Sequence, residues 1–372
     1  MPLRVLIIPD KFKGTLTARE AAQAIARGWR NVRPGDQLHL LPMSDGGDGF
    51  GEVIRSLLHA KAQRVETVDA AQRKLTATWW WEAKTKTAIL ESANIIGLAM
   101  LPPGKFHPLE LDTFGLGAVL RAARTKGARH IMIGIGGSAT NDGGFGLARA
   151  LGWEFLDRRS QPINRWTELS GLAEIRQPKP LKFGKVIVAV DVQNPLLGAR
   201  GATRVYGPQK GLKPGEFADA EKALRQLAMI VARHSGRKHA NQSGAGAAGG
   251  LGFGLAAFLS ARLEPGFALF AQHAKLAHRL RHVDLVITGE GAIDRSTAMG
   301  KGVGQIAERC RALGIPCLGL AGVALRSRET KRLFAQLHAL TDLTTPTRAK
   351  AEPAFWLERL AAKAASALQV AG

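Results

Sequence analysis

Ile131-Met-Ile-Gly-Ile-Gly-Gly-Ser-Ala-Thr-Asn-Asp-Gly-Gly-Phe-Gly-Leu147 opens with β-formers (Ile131, Met132, Ile133, Ile135) and breaks into two glycine-bracketed polar steps. Helical spacing then resumes at Leu147 and Leu151. The order is strand, polar glycine loop, helix. Glycines let backbone N–H groups approach an anion closely, and a following helix N-terminus adds a favourable dipole, so the stretch reads as a phosphate cradle. Its candidate ligands are Gly134, Gly136, Gly137, Ser138, Thr140, Asn141 and Asp142. The plain alternative is a connection capped by Ser, Asn or Asp.

The same strand-loop-helix texture recurs on both sides of this stretch. Val5-Leu-Ile-Ile8 ends in Pro9-Asp10, and Lys11-Phe-Lys13-Gly-Thr15 precedes a helix from about Thr17 to Trp29, placing Asp10 and Lys13 at the carboxyl end of a strand, where open α/β sheets collect ligands. Gln37 to Leu41 is a second strand, followed by Ser44-Asp-Gly-Gly-Asp-Gly49. Two carboxylates three residues apart on such a loop, Asp45 and Asp48, suit Mg²⁺, although either could cap the following helix. From about Arg64 the runs become short and antiparallel in character, through Trp79-Trp80-Trp81 to Leu90, and the tryptophans read as strand-face core.

Lys185 to Val190 is a buried-looking strand closing in Asp191, which is placed to act as a base or a metal ligand. Ser243 to Gly252 is a second glycine loop opening a helix. Val283 to Thr288 is a strand, followed by a polar cluster of Glu290, Asp294 and Lys301; Ile315 to Leu320 is the next strand, and Lys331–Leu337 and Phe355–Leu368 read as amphipathic helices. The first and last parts therefore build one discontinuous sheet. The expected division is residues 1–63 with 284–372, and 64–283, the second part holding the Gly134–Gly144 loop.

Composition narrows the partners. With 372 residues and 45% hydrophobic content the chain supports two cores. Fifty-two Lys and Arg against 30 Asp and Glu give a net charge of +22, which favours anionic partners, but the charge is dispersed, as on a solvated basic surface. No aromatic-basic interleaving argues for nucleic acid. Cys310 and Cys317 lack metal-ligand or disulfide-framework spacing, and the N-terminal apolar run is too short for a secretion signal, so the expectation is a cytoplasmic protein in a reducing compartment. Uncharged Ala240–Ala261 is rich in Gly, Ala, Ser, Asn and Gln and reads as a loop and packed helix, not a membrane span.

Seven motifs, taken together, resemble the bacterial glycerate kinase family, type I group: Pro9-Asp-Lys-Phe-Lys-Gly14, Ser44-Asp-Gly-Gly-Asp-Gly49, Gly134 to Gly144, Asp191-Val-Gln-Asn-Pro195, Tyr206-Gly-Pro-Gln-Lys-Gly211, Gly244 to Gly252, and Ile287-Thr-Gly-Glu-Gly291. They occur in the family's order over nearly the whole chain. The resemblance implies ATP-dependent phosphorylation of glycerate, mostly to 2-phosphoglycerate, and a Rossmann-like parallel-sheet domain plus a second mixed α/β domain, with the site in the cleft between them. The chain departs from the family's pattern at Lys11 (usually Ser), Asp48 (usually Glu) and Gln193 (usually Asp).

On that reading the Gly134–Asp142 loop takes the nucleotide phosphates, and Asp45, Asp48 or Glu290 lies near Mg²⁺. Lys13 holds the substrate carboxylate or the transferring phosphate. Asp191 orients or deprotonates the attacking hydroxyl, and Asp294 fits that last description equally. Glycerate and ATP are the expected partners, with no nucleic acid and no membrane. One rival is an NAD(P)-dependent oxidoreductase, with Gly134-x-Gly136-x-x-Ala139 as fingerprint and Asp157 as the ribose acid. A basic nucleic-acid-binding protein is the other, and no binding module supports it. A Walker-type loop is absent from the sequence.

Overall fold

The computed structural model describes residues 2–179, 181–300 and 302–368; Lys301 lies outside them. Its strands are β1 (Arg4–Ile7), β2 (Gln37–Leu40), β3 (Lys61–Val68), β4 (Lys74–Glu82), β5 (Thr87–Glu91), β6 (His130–Gly134), β7 (Glu154–Asp157), β8 (Leu172–Arg176), β9 (Lys185–Val190), β10 (Arg262–Pro265), β11 (Leu285–Ile293), β12 (Cys317–Ala324) and β13 (Gln336–Ala339). The chain divides into two compact units, Met1–Asp45 with Phe270–Gly372, and Gly46–Leu269. The sequence pattern places these changes later, near residues 63 and 283. The first difference has a packing cause: helix Phe50–Leu57 buries Phe50 and Ile54 against Trp80, Ile89 and Met132, so it belongs to the second unit's sheet.

The first unit is a five-stranded parallel sheet in the order β13-β12-β11-β1-β2. Val5, Leu6 and Ile7 are 0–1% exposed, as a central strand covered on both faces requires. Helix Ala18–Val32 starts at a reciprocal cap of Thr17 and Glu20, and buries Ala21, Ile25 and Trp29. Gly28 lets it approach helix Pro353–Ser366 closely, since a Cβ there would fall on the Glu358 carbonyl. Numbered within the unit, the strand order is 2-1-3-4-5, a doubly wound arrangement whose direction reverses between β1 and β11, and the loops leaving those two strands flank the place where such sheets bind ligands. Lys331–Leu337 is not one helix: the helix is Arg328–Leu333, and Gln336–Ala339 is the edge strand β13.

The second unit is a mixed sheet in the order β10-β9-β6-β5-β4-β3, antiparallel from β3 to β5 and parallel from β5 to β10. The tryptophans alternate across it: Trp79 packs with Leu90, Val119 and Ile131, and Trp80 with Phe50 and Ile54 on the other face. A two-stranded ribbon of β7 and β8 shares a separate cluster with Phe145, Trp166 and Leu227. Within helix Ala247–Leu259, residues Ala248, Gly249 and Gly250 have left-handed backbone, so regular helix begins only after them. Gly249 (φ +68°) has a second reason to be glycine, because a Cβ would run into the Thr140 carbonyl. No helix among the described residues is long and apolar enough to cross a membrane.

Candidate active site

In the second unit, three loops leave the carboxyl ends of neighbouring parallel strands or pack beside them. β6 and β9 are paired with Gly134 opposite Ala189, so the Ile135–Gly144 loop and Asp191 come off adjacent strand ends. The Gly244–Gly250 loop is tied in by Gly246 N–H donating to the Asn194 carbonyl (2.8 Å) and Gly143 N–H donating to the Gly249 carbonyl (3.1 Å).

Most polar groups of the Ile135–Gly144 loop face inward. Asp142 is fully buried, and its carboxylate accepts from Thr113 N (2.9 Å), Thr113 Oγ1 (2.7 Å), Gly144 N (3.2 Å) and Gly146 N (2.9 Å). Burial pushes its pKa up, against these hydrogen bonds. Asp112 beside it is pushed up to about 6 by burial and by the Asp142 charge. Ser138 and Thr140 share a hydroxyl contact (2.9 Å), and Asn141 Nδ2 donates to Thr203 Oγ1 (3.0 Å) while its buried Oδ1 meets no partner among the described residues.

The outer edge of the loop is different. Gly137 is exposed with φ +74°, and a Cβ on it would fall on the Asp48 carboxylate. The amides of Gly136, Gly137 and Ser138 meet no acceptor among the described residues. The helix that follows, Phe145–Ala150, has six residues, so these amides and not a long helix dipole are the loop's means of attracting an anion.

Asp191 is exposed at the end of β9. Tyr206 stands near it: burial, then the Asp191 charge, raise the phenol to about 12, and its hydroxyl donates to Asn194 Oδ1 (2.6 Å). Glu91, at the end of β5, accepts from Gly49 N (2.5 Å) and Gly51 N (2.9 Å), which fastens the loop carrying Asp48 to the sheet. Its signal in the sequence is the one that marked Asp191, an acid ending an apolar strand.

In the first unit, carboxylates gather at the reversal of strand order. Asp10 follows β1 and is 8% exposed, with Oδ1 accepting from Lys11 N (2.7 Å). Leu41 and Met43 bond back to the Ile7 and Pro9 carbonyls, which carries Asp45 to the same end of the sheet. Glu290 lies in β11, where Thr297 Oγ1 donates to its Oε1 (2.8 Å). Its carboxyl is pushed up to about 8, first by burial and then by the charges of Asp10, Asp45 and Asp294, with the Thr297 bond opposing. Asp294 caps helix Arg295–Ala298, accepting from Ser296 N (2.7 Å) and Oγ (2.6 Å). Lys13 is exposed, its backbone against Gly291.

These groups fit a divalent cation by their chemistry, since several oxygen donors sit where negative charge is already in excess. No three His, Cys, Asp or Glu among the described residues enclose a metal by themselves. Asp157, the ribose acid of the oxidoreductase reading, instead closes a turn by accepting from Arg159 N (2.8 Å) and Gln161 N (2.9 Å).

Comparison with known proteins takes in both loop systems. The sequence model of the Glycerate kinase family matches residues 5–369. A glycerate kinase of Halalkalibacterium halodurans is 39% identical over 322 residues, covering 86% of this chain and 85% of that protein. One from Haemophilus influenzae is 36% identical over 352 residues, covering 92% and 93%, and the glycerate 2-kinase of Escherichia coli K12 is 35% identical over 332 residues, covering 86% and 85%. A solved structure from Salmonella typhimurium LT2, assigned as glycerate kinase 2, is similar with a TM-score of 0.81 and 32% identity over 98% of each chain. With identities of this size running nearly end to end, the chain belongs to the glycerate kinase family.

Proposed function

We propose that this glycerate kinase transfers the γ-phosphate of ATP, with Mg²⁺, to the 2-hydroxyl of (R)-glycerate, giving 2-phosphoglycerate. The observation that carries the ATP assignment is the row of amides at Gly136, Gly137 and Ser138, which meet no acceptor among the described residues and sit at the partly exposed edge of an otherwise inward-bonded loop. Such a row suits phosphate oxygens. The choice of the 2-hydroxyl follows the Escherichia coli relative, a glycerate 2-kinase.

Phosphoryl transfer needs an aligned hydroxyl and donors aimed at the charge that spreads over the moving group. The amides of residues 136–138 hold phosphate oxygens. In the first unit Asp45 and Glu290, with Asp10 beside them, are the carboxylates that would hold Mg²⁺; in the second, Asp48 next to Gly137 is the candidate. When bound, that ion offsets phosphate charge and fixes the in-line geometry. Lys13 takes the glycerate carboxylate. Asp191 orients the hydroxyl and accepts its proton; it is preferred to Asp294, whose Oδ1 is committed to its helix cap.

ADP release with (R)-glycerate, with and without EDTA, tests the activity. Asp191→Asn should lower kcat by about 10²- to 10⁴-fold with the ATP KM nearly unchanged; turnover near that of the parent would move the role elsewhere. Glu290→Gln should raise the Mg²⁺ needed for half-maximal rate by about tenfold and be rescued by excess Mg²⁺. An unchanged Mg²⁺ titration would remove Glu290 from the metal set.

A further inference from the structure

A buried carboxylate is an awkward member of a loop that receives phosphates, because its charge repels them. The compensating charge comes from outside the loop. Lys210, the last residue of helix Ala202–Lys210, is 7% exposed, and its Nζ donates to the Thr140 carbonyl at 2.6 Å. Burial lowers its pKa to about 7, and the charge that draws it back up is that of Asp142. The carbonyl and N–H of one planar trans peptide point to opposite sides. With the Thr140 carbonyl turned toward Lys210, the Asn141 N–H is aimed the other way, and it meets no acceptor among the described residues. A hydrogen bond from a cation also polarises that peptide and makes its N–H the stronger donor.

We propose that Lys210 is a positioning residue of the phosphate loop: as an ammonium it holds the Thr140 carbonyl inward and cancels the charge of Asp142, so that the loop presents N–H groups and no net negative charge to ATP. This rests on the reading that the loop takes the ATP phosphates. The surroundings leave the pair to balance itself. Helix Ala247–Leu259 carries no titratable residue, and Glu221 of helix Phe217–Ser235 is occupied by Arg204 and Arg225. Asp112 and Arg149 act on each other and, in the case of Asp112, on Asp142.

The test is ATP affinity by calorimetry on the full chain. ATP binding that prefers the ammonium is strong below the free-state pKa and weakens as pH rises through it. For the parent, Kd should therefore rise by about tenfold between about pH 6.5 and about pH 8.5. Lys210→Met should raise Kd about ten- to a hundredfold at the lower pH and remove this dependence, so that the variant also corrects for the titration of ATP itself. At saturating ATP its kcat should stay within about threefold, because Lys210 touches no reacting atom.

Asp142→Asn combined with Lys210→Met should regain most of the lost affinity, which a merely structural lysine would not allow. Parent-like binding by Lys210→Met, or a double variant no better than it, overturns the proposal. If Lys210→Met does not fold, a flat parent pH profile overturns it. Failure of the underlying loop reading looks different, since the parent would then bind no ATP at any pH.

Discussion

Gly137→Val removes ATP-dependent turnover, to below about 1% of the parent, while the protein stays folded. A β-branched residue at φ +74° is a backbone outlier, and its Cβ falls on the Asp48 carboxylate. The loop must reopen at that point, which displaces the amides of residues 136–138. Losing one such donor costs about 10²- to 10³-fold in kcat where it meets developing charge. Gly137 is exposed, so the damage stays local. Calorimetric titration with ATP and a thermal melt check both halves of the prediction. An ATP affinity within about threefold of the parent would mean that the loop is a connection only.

Asp142→Ala acts on stability instead. Its carboxylate serves Thr113 N, Thr113 Oγ1, Gly144 N and Gly146 N inside the second unit, where water does not replace it. Removing it strands these donors and leaves Lys210 facing no countercharge, at a cost of about 3–5 kcal/mol. In a unit of this size that is a fall of about 10 °C in Tm. A melt within about 2 °C of the parent would show that the carboxylate is not the brace of the loop.

Much of this architecture is legible in the sequence, for a physical reason. Strands buried on both faces are continuous apolar runs, and Val5–Ile8, Ile131–Ile135, Lys185–Val190 and Val283–Thr288 all stand at or beside observed strands that end in polar loops. β13 was hidden because Lys331–Leu337 is too short to separate a helix end from an edge strand; the chain leaves the helix at Leu333. The Phe50–Leu57 helix reads correctly as a helix, but which sheet it covers is decided by Trp80, Ile89 and Met132, far away in sequence.

At the site, residue types were easier to read than directions. Asp142 looked like a ligand because it sits in a glycine loop, yet its oxygens point back to Thr113, a partner 29 residues earlier. Lys210 stands in the Tyr206–Gly211 motif, but nothing in the sequence gives it a role of its own, since a lysine at a helix end ordinarily reads as a solvated cation favoured by the dipole. Only the packing of its helix shows that it is buried against Thr140.

The most direct test of the proposed reaction is ³¹P NMR of the purified protein with ATP, Mg²⁺ and (R)-glycerate, beside an EDTA control. The expected result is a new phosphomonoester signal that needs the metal and couples to a single proton, as a phosphate on the C2 methine does. Coupling to two protons would place the phosphate on the 3-hydroxyl and contradict the 2-kinase assignment. ATP left intact with active-looking, folded protein would contradict the phosphotransfer itself.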